Sequence, residues 1–116
     1  CGLYVGTRTA QYGYGGEFYV DIMRCSEDGI AGETEFVNGT SYTVKSFEGE
    51  WNDNGDVISI TFSETGILEN AGSSGDTARY AYEAAVNGKQ LSGTYSINNR
   101  IYGSISLRRA EATVVK

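Results

Sequence analysis

Apolar and polar residues alternate with a period of two along this chain, in short runs separated by Gly, Asn and Asp. Ile58, Ile60 and Phe62 alternate with Ser59, Thr61 and Ser63, and Tyr80, Tyr82 and Ala84 are spaced in the same way. A period of two is the signature of half-buried strands, and no segment shows the 3.6-residue spacing of a helix face. Strands are predicted at about 3–10, 16–25, 29–37, 41–50, 56–63, 78–86, 89–97 and 100–109. Asn38-Gly39, Asn54-Gly55 and Asn87-Gly88 mark tight hairpins, with weaker signals at Ser26–Gly29 and Asn98-Asn99. Strands joined this way are antiparallel neighbours. The expectation is an all-β chain forming one antiparallel up-and-down eight-stranded β-barrel over residues 1–116, with a β-sandwich as the alternative. Residues 110–116 are either a short final strand or a frayed tail.

Turn positions predict which side chains point inward. A two-residue turn at Asn87-Gly88 sets Tyr80 opposite Tyr95, Tyr82 opposite Gly93 and Ala84 opposite Leu91. Ile101, Gly103, Ile105 and Leu107 continue this inward set. Across the Asn52–Gly55 turn, Ile58, Ile60 and Phe62 meet Gly49, Phe47 and Lys45, which places Thr43, Lys45, Phe47 and Trp51 inside with Ile30, Thr34 and Phe36. A slip of one residue would reverse every one of these faces. Residues 64–77 have no clear period and carry three Gly. They read as a long loop, either a lid with Ile67 and Leu68 folded over a barrel mouth or a floppy connection.

Composition narrows the partners. The net charge is −6 and the chain has no His. An acidic chain does not suit nucleic acid or an anionic lipid surface; a cationic protein partner or plain solubility does. No run is long enough for a transmembrane segment. Without His, the usual zinc sites and His-activated nucleophiles are absent, and no metal, cofactor or catalytic residue is assigned. Glu33/Glu35 and Glu48/Glu50 read as solvated outer-face charges. Asn52–Asp56 resembles a calcium loop but lacks its full acidic spacing, and a β-turn accounts for it. Asn38-Gly39-Thr40 matches a glycosylation sequon, relevant only in a eukaryotic secreted protein.

Cys1 and Cys25 flank the first hairpin. With the turn centred on Gly13 they lie opposite each other, within reach of a disulfide and suited to an oxidising compartment. A lipid anchor on Cys1 competes for the same sulfur, and two free thiols are the third reading. The first two readings place the protein outside the cytoplasm, secreted or periplasmic.

The inward set Thr34, Phe36, Thr43, Lys45, Phe47, Trp51, Tyr80, Tyr82 and Tyr95 is the candidate ligand-binding site. Tyr hydroxyls and one Lys in an apolar cup suit a small amphipathic or anionic molecule. An ordinary aromatic core, with Lys45 snorkelling to the rim, accounts for the same residues.

Gly2-Leu3-Tyr4-Val5-Gly6 at the start and Leu107-Arg108-Arg109 at the end resemble the calycin-type barrels, the group of lipocalins and avidins, with Tyr4 where those families have Trp. The resemblance implies a terminal Arg covering Tyr4 and a non-enzymatic carrier of a small, partly apolar ligand. The polar set that avidins use for biotin has no counterpart here. Two other functions stay open: an inhibitor or adhesion module working through loops and outer surface, and a cyclase that shapes its substrate within the barrel.

Overall fold

A computed structural model describes residues 1–13, 15–72 and 78–110. Eight antiparallel strands run up and down in chain order, and the last pairs with the first to close a barrel. They are β1 (Gly2–Ala10), β2 (Gly15–Ser26), β3 (Gly29–Asn38), β4 (Ser41–Asp53), β5 (Ile58–Ala71), β6 (Tyr80–Asn87), β7 (Gln90–Ile97) and β8 (Arg100–Arg109). Closure is made by the β1–β8 ladder, which sets Tyr4 opposite Arg109 and Ala10 opposite Gly103. Arg109 lays its guanidinium against Gly2, so the terminal Arg covers the start of the first strand. No helix among the described residues is long and apolar enough to cross a membrane.

The predicted faces survive where the predicted pairing does not. Tyr82 pairs with Tyr95 and Ala84 with Gly93, two residues away from the expected partners. The turn residues are Gly88-Lys89, with a positive φ at Gly88, because a hairpin with Gly at its first central position places Asn87 in the flanking strand. In β4–β5, Gly49 pairs with Phe62 and Trp51 with Ile60, a shift of four that moves the four-residue turn two positions along the chain, to 54–57. Asp53, the last residue of β4, caps that turn by accepting a hydrogen bond from Gly55 N at 2.8 Å, so Asn52–Asp56 is a strand end and the turn that follows it. Both shifts are even, so the inward set keeps its side.

Two corrections to facing have local causes. Ile101 is exposed, because a bulge opposite Tyr95 and Ser96 inserts Tyr102 and reverses the alternation of β8. Trp51 keeps the inward parity but lies at the barrel end, 40% exposed, its indole Nε1 donating to the Ser26 carbonyl at 2.6 Å.

The expected loop over 64–77 is largely strand. β5 continues to Ala71, and its pairing with β4 is interrupted by bulges that skip Thr65 and Leu68. Two inserted residues within four positions erase the period of two, which is why this segment reads as irregular in sequence. Residues 73–77 of that expected loop, and 111–116 of the expected tail, lie outside the described residues.

Cys1 and Cys25 form a disulfide, with Cα atoms 5.6 Å apart. It occupies the sulfur that a lipid anchor would need. The two residues are not directly opposite: β1–β2 sets Gly2 against Ile22, and Met23 bulges from β2 beside β3. Such a bridge is consistent with a location outside the cytoplasm. Its 24-residue separation predicts a loss of about 3 kcal/mol on reduction, read as a shift in urea midpoint with and without reductant.

The core fills one end and the middle of the barrel. Tyr4, Ile22, Ile30, Ile60, Leu91 and Leu107 are buried toward the end that carries the disulfide. Above them Phe18, Tyr82, Phe62 and Phe47 form a chain of ring contacts, with centroids 5.4, 4.7 and 4.7 Å apart in that order. Glycine lets strands draw close around this core. A Cβ on Gly93 would stand 2.0 Å from the Glu83 carbonyl oxygen, so only Gly allows that strand to approach β6 so closely.

Candidate functional site

A cavity of about 230 Å³ lies at the opposite end of the barrel, beneath the β3–β4 turn, and Tyr82 of the aromatic chain is hydrogen-bonded to two residues of its wall. Its wall holds three charged side chains brought together from β1, β4 and β5: Arg8, Lys45 and Glu64. All three are nearly excluded from solvent, with side-chain exposures of 10%, 9% and 4%.

Glu64 is the hub. Tyr82 donates its hydroxyl hydrogen to Glu64 Oε1 at 2.5 Å and accepts from Arg8 Nη1 at 2.8 Å. Thr34 donates to Glu64 Oε2 at 3.2 Å. Arg8 Nη1 stands 3.8 Å from Oε1, and Lys45 Nζ stands 3.8 Å from Oε2. These contacts distribute both carboxylate oxygens among four partners, which suits a charge held away from water.

Arg8 is held by aromatic faces. Its guanidinium carbon lies 3.9 Å from the Phe36 ring centroid, 4.6 Å from Tyr80, 5.2 Å from Phe18 and 5.3 Å from Tyr95. Burial works against its charge, but the Tyr82 hydroxyl, Glu64 and Tyr80 outweigh it and hold its pKa above the ordinary guanidinium value. Lys45 is fixed less tightly. Its ammonium sits 4.4 Å from the Tyr80 ring centroid, and its distance to Glu64 exceeds a hydrogen bond. Burial, and then the neighbouring Glu64 charge, push the Tyr82 phenol pKa well up, so Tyr82 remains a neutral donor.

The formal charges do not cancel: two cations face one carboxylate. Surplus positive charge lines the cavity of a chain whose net charge is −6. The arrangement can accept an anion at Lys45 and at the Arg8 donors not spent on Tyr82.

Of the nine residues expected at a ligand site, Thr34, Phe36, Thr43, Lys45 and Tyr80 line this cavity. Phe47 and Tyr82 belong to the aromatic chain and do not line it, though Tyr82 is hydrogen-bonded to Arg8 and Glu64 of its wall. Tyr95 is buried beside Arg8 and Tyr102. Trp51, at the other end of the barrel, takes no part. Sequence reasoning missed Arg8 and Glu64. Arg8 follows Tyr4 and Gly6 in the inward alternation of β1, a readable signal; Glu64 follows Ile58, Ile60 and Phe62 in the inward alternation of β5.

No protein-family model matches the chain, and no curated protein matches it.

Proposed function

We propose that this barrel binds a small anionic molecule in its lumen, outside the cytoplasm, and acts by holding and releasing it. The observation that carries the reading is the surplus cation: Arg8 and Lys45 against Glu64 in the wall of the cavity at the barrel mouth. A buried charge without a full partner is costly, and an incoming carboxylate or similar anion offsets that cost. At about 230 Å³ the cavity is smaller than the roughly 300–1,000 Å³ of sites for drug-sized ligands. Its ligand is accordingly compact, at least in the part that enters the lumen. The architecture is compatible with the calycin-type resemblance, whose members carry ligands inside the barrel, though fold alone assigns no ligand.

Isothermal titration with butanoate, matched against butylammonium, tests this reading. Butanoate is expected to bind and butylammonium not. Lys45→Met is expected to weaken butanoate by about 10- to 100-fold, the worth of one charge-assisted hydrogen bond. Equal binding of both probes, or of neither, would remove the support for an anion site.

A second reading, recognition of a basic protein by the outer surface, rests on one feature. Asp21 of β2 stands directly opposite Glu33 of β3, and Glu35 lies two residues further along the same face. Like charges placed opposite one another on a sheet destabilise it, and a cationic partner would relieve them.

A further inference from the structure

The ladder between β5 and β6 is short. It pairs Ile58 with Val86 at one end and stops at Ser63 with Ala81. Beyond that point β5 continues for eight residues paired to β4 alone among the described strands. A groove of about 610 Å³ lies there, lined by Ser63, Thr65, Gly66, Ile67 and Ala78, with Arg79 at its edge. Lys45 and Glu64 line this groove as well as the lumen cavity. The two spaces meet at the surplus cation.

The groove differs in character from the lumen. Ile67 pairs with Lys45 across the β4–β5 ladder, and the bulges at Thr65 and Leu68 bracket it. Ile67 is 40% exposed, an apolar side chain at the groove that the barrel does not bury. Among the described residues, the wall around the lumen cavity is rich in hydroxyls and charges, and it includes no aliphatic side chain comparable to Ile67.

We propose that the ligand is an amphipathic carboxylate whose head binds Lys45 in the lumen and whose alkyl tail turns sideways into the groove beside β5, lying on Ile67. This rests on the anion reading above and adds where the apolar part goes. The charge surplus selects the head, and the open apolar surface next to it selects the tail. The tail does not continue down the barrel axis, because the stacked rings of Phe18, Tyr82, Phe62 and Phe47 close that route.

Titration of the intact, oxidised chain with butanoate and octanoate separates the two ideas. Octanoate is expected to bind at least about tenfold more tightly, since each methylene removed from water adds to affinity. Ile67→Gln, which changes a partly exposed side chain, should erase that advantage and leave butanoate affinity as it was. In the unaltered protein the octanoate terminal methyl should show nuclear Overhauser contacts to Ile67. If butanoate binds through Lys45 but octanoate is no tighter, or its advantage survives Ile67→Gln without contacts to Ile67, the groove inference is wrong and the anion site stands. If neither carboxylate binds, both fall.

Discussion

Glu64→Gln destabilises the barrel by about 3–5 kcal/mol, the cost of leaving a buried charge without its counter-ion. The substitution preserves shape and leaves a carbonyl oxygen to accept from Tyr82 or Thr34. It removes what is, among the described residues, the only carboxylate facing Arg8 and Lys45 in the cavity wall. The effect is electrostatic and not one of packing, which gives it a distinctive partner. Adding Lys45→Met to Glu64→Gln takes away one stranded cation and should restore part of the loss, so the two changes are strongly non-additive. Urea unfolding of the two single variants and the double variant measures this coupling. Additive changes would mean that Lys45 and Glu64 do not interact energetically, despite standing 3.8 Å apart.

Tyr82→Ala is expected to cost a similar amount, about 3–5 kcal/mol, because it empties the centre of the aromatic chain. Tyr82 is 1% exposed and its ring contacts Phe18, Phe62 and Tyr95. Tyr82→Phe isolates the hydroxyl, which links Arg8 to Glu64, and should cost about 1–3 kcal/mol. The same hydroxyl sets an alkaline limit on the fold. Burial first, and the Glu64 charge second, raise its native pKa well above the ordinary phenol value. In the unfolded chain Tyr82 ionises near pH 10, so above about that pH the native state retains a proton the unfolded state has lost. Its stabilising contribution is complete below about pH 10 and is lost as pH rises toward the native pKa, by about 1.4 kcal/mol per pH unit. Burial raises the Tyr95 phenol too, so part of the alkaline loss has the same origin there. Urea midpoints measured through the alkaline range should fall less steeply for Tyr82→Phe than for the unaltered chain. Identical slopes would show that Tyr82 ionises alike in both states.

The strands and turns were legible because each carries its own local signal: alternation along the strand, and Gly or Asn where φ turns positive. Faces were more robust than registers. The β6–β7 and β4–β5 pairings moved by two and four residues, and even shifts leave Tyr80, Tyr82, Lys45 and Phe47 pointing inward. Facing failed where something beyond alternation intervened, as at the Tyr102 bulge that exposes Ile101 and at the barrel end that leaves Trp51 half open.

The charged cluster was only half legible. Lys45 was placed inside by its neighbours Thr43 and Phe47. Arg8 had the same positional signal, but charged residues are seldom buried without a partner, and its Tyr82 partner lies 74 positions away. Glu64 stood where two bulges broke the period, and the segment it begins resembled a loop. What connects these residues is the closure of the barrel, a long-range property that local patterns do not carry.

The central claim is that Lys45 is surplus to the fold and present for an anion. Denaturant unfolding of the unaltered protein and Lys45→Met, each with and without saturating butanoate, tests it most directly. Without butanoate, Lys45→Met should be as stable as the parent or more so, since Arg8 and Glu64 then form a balanced pair. Butanoate should stabilise the parent and stabilise Lys45→Met clearly less, because a native state gains from the anion in proportion to how tightly it binds it. A Lys45→Met chain that unfolds several kcal/mol more easily, with butanoate stabilising neither protein, would make Lys45 a structural counter-ion and contradict the account.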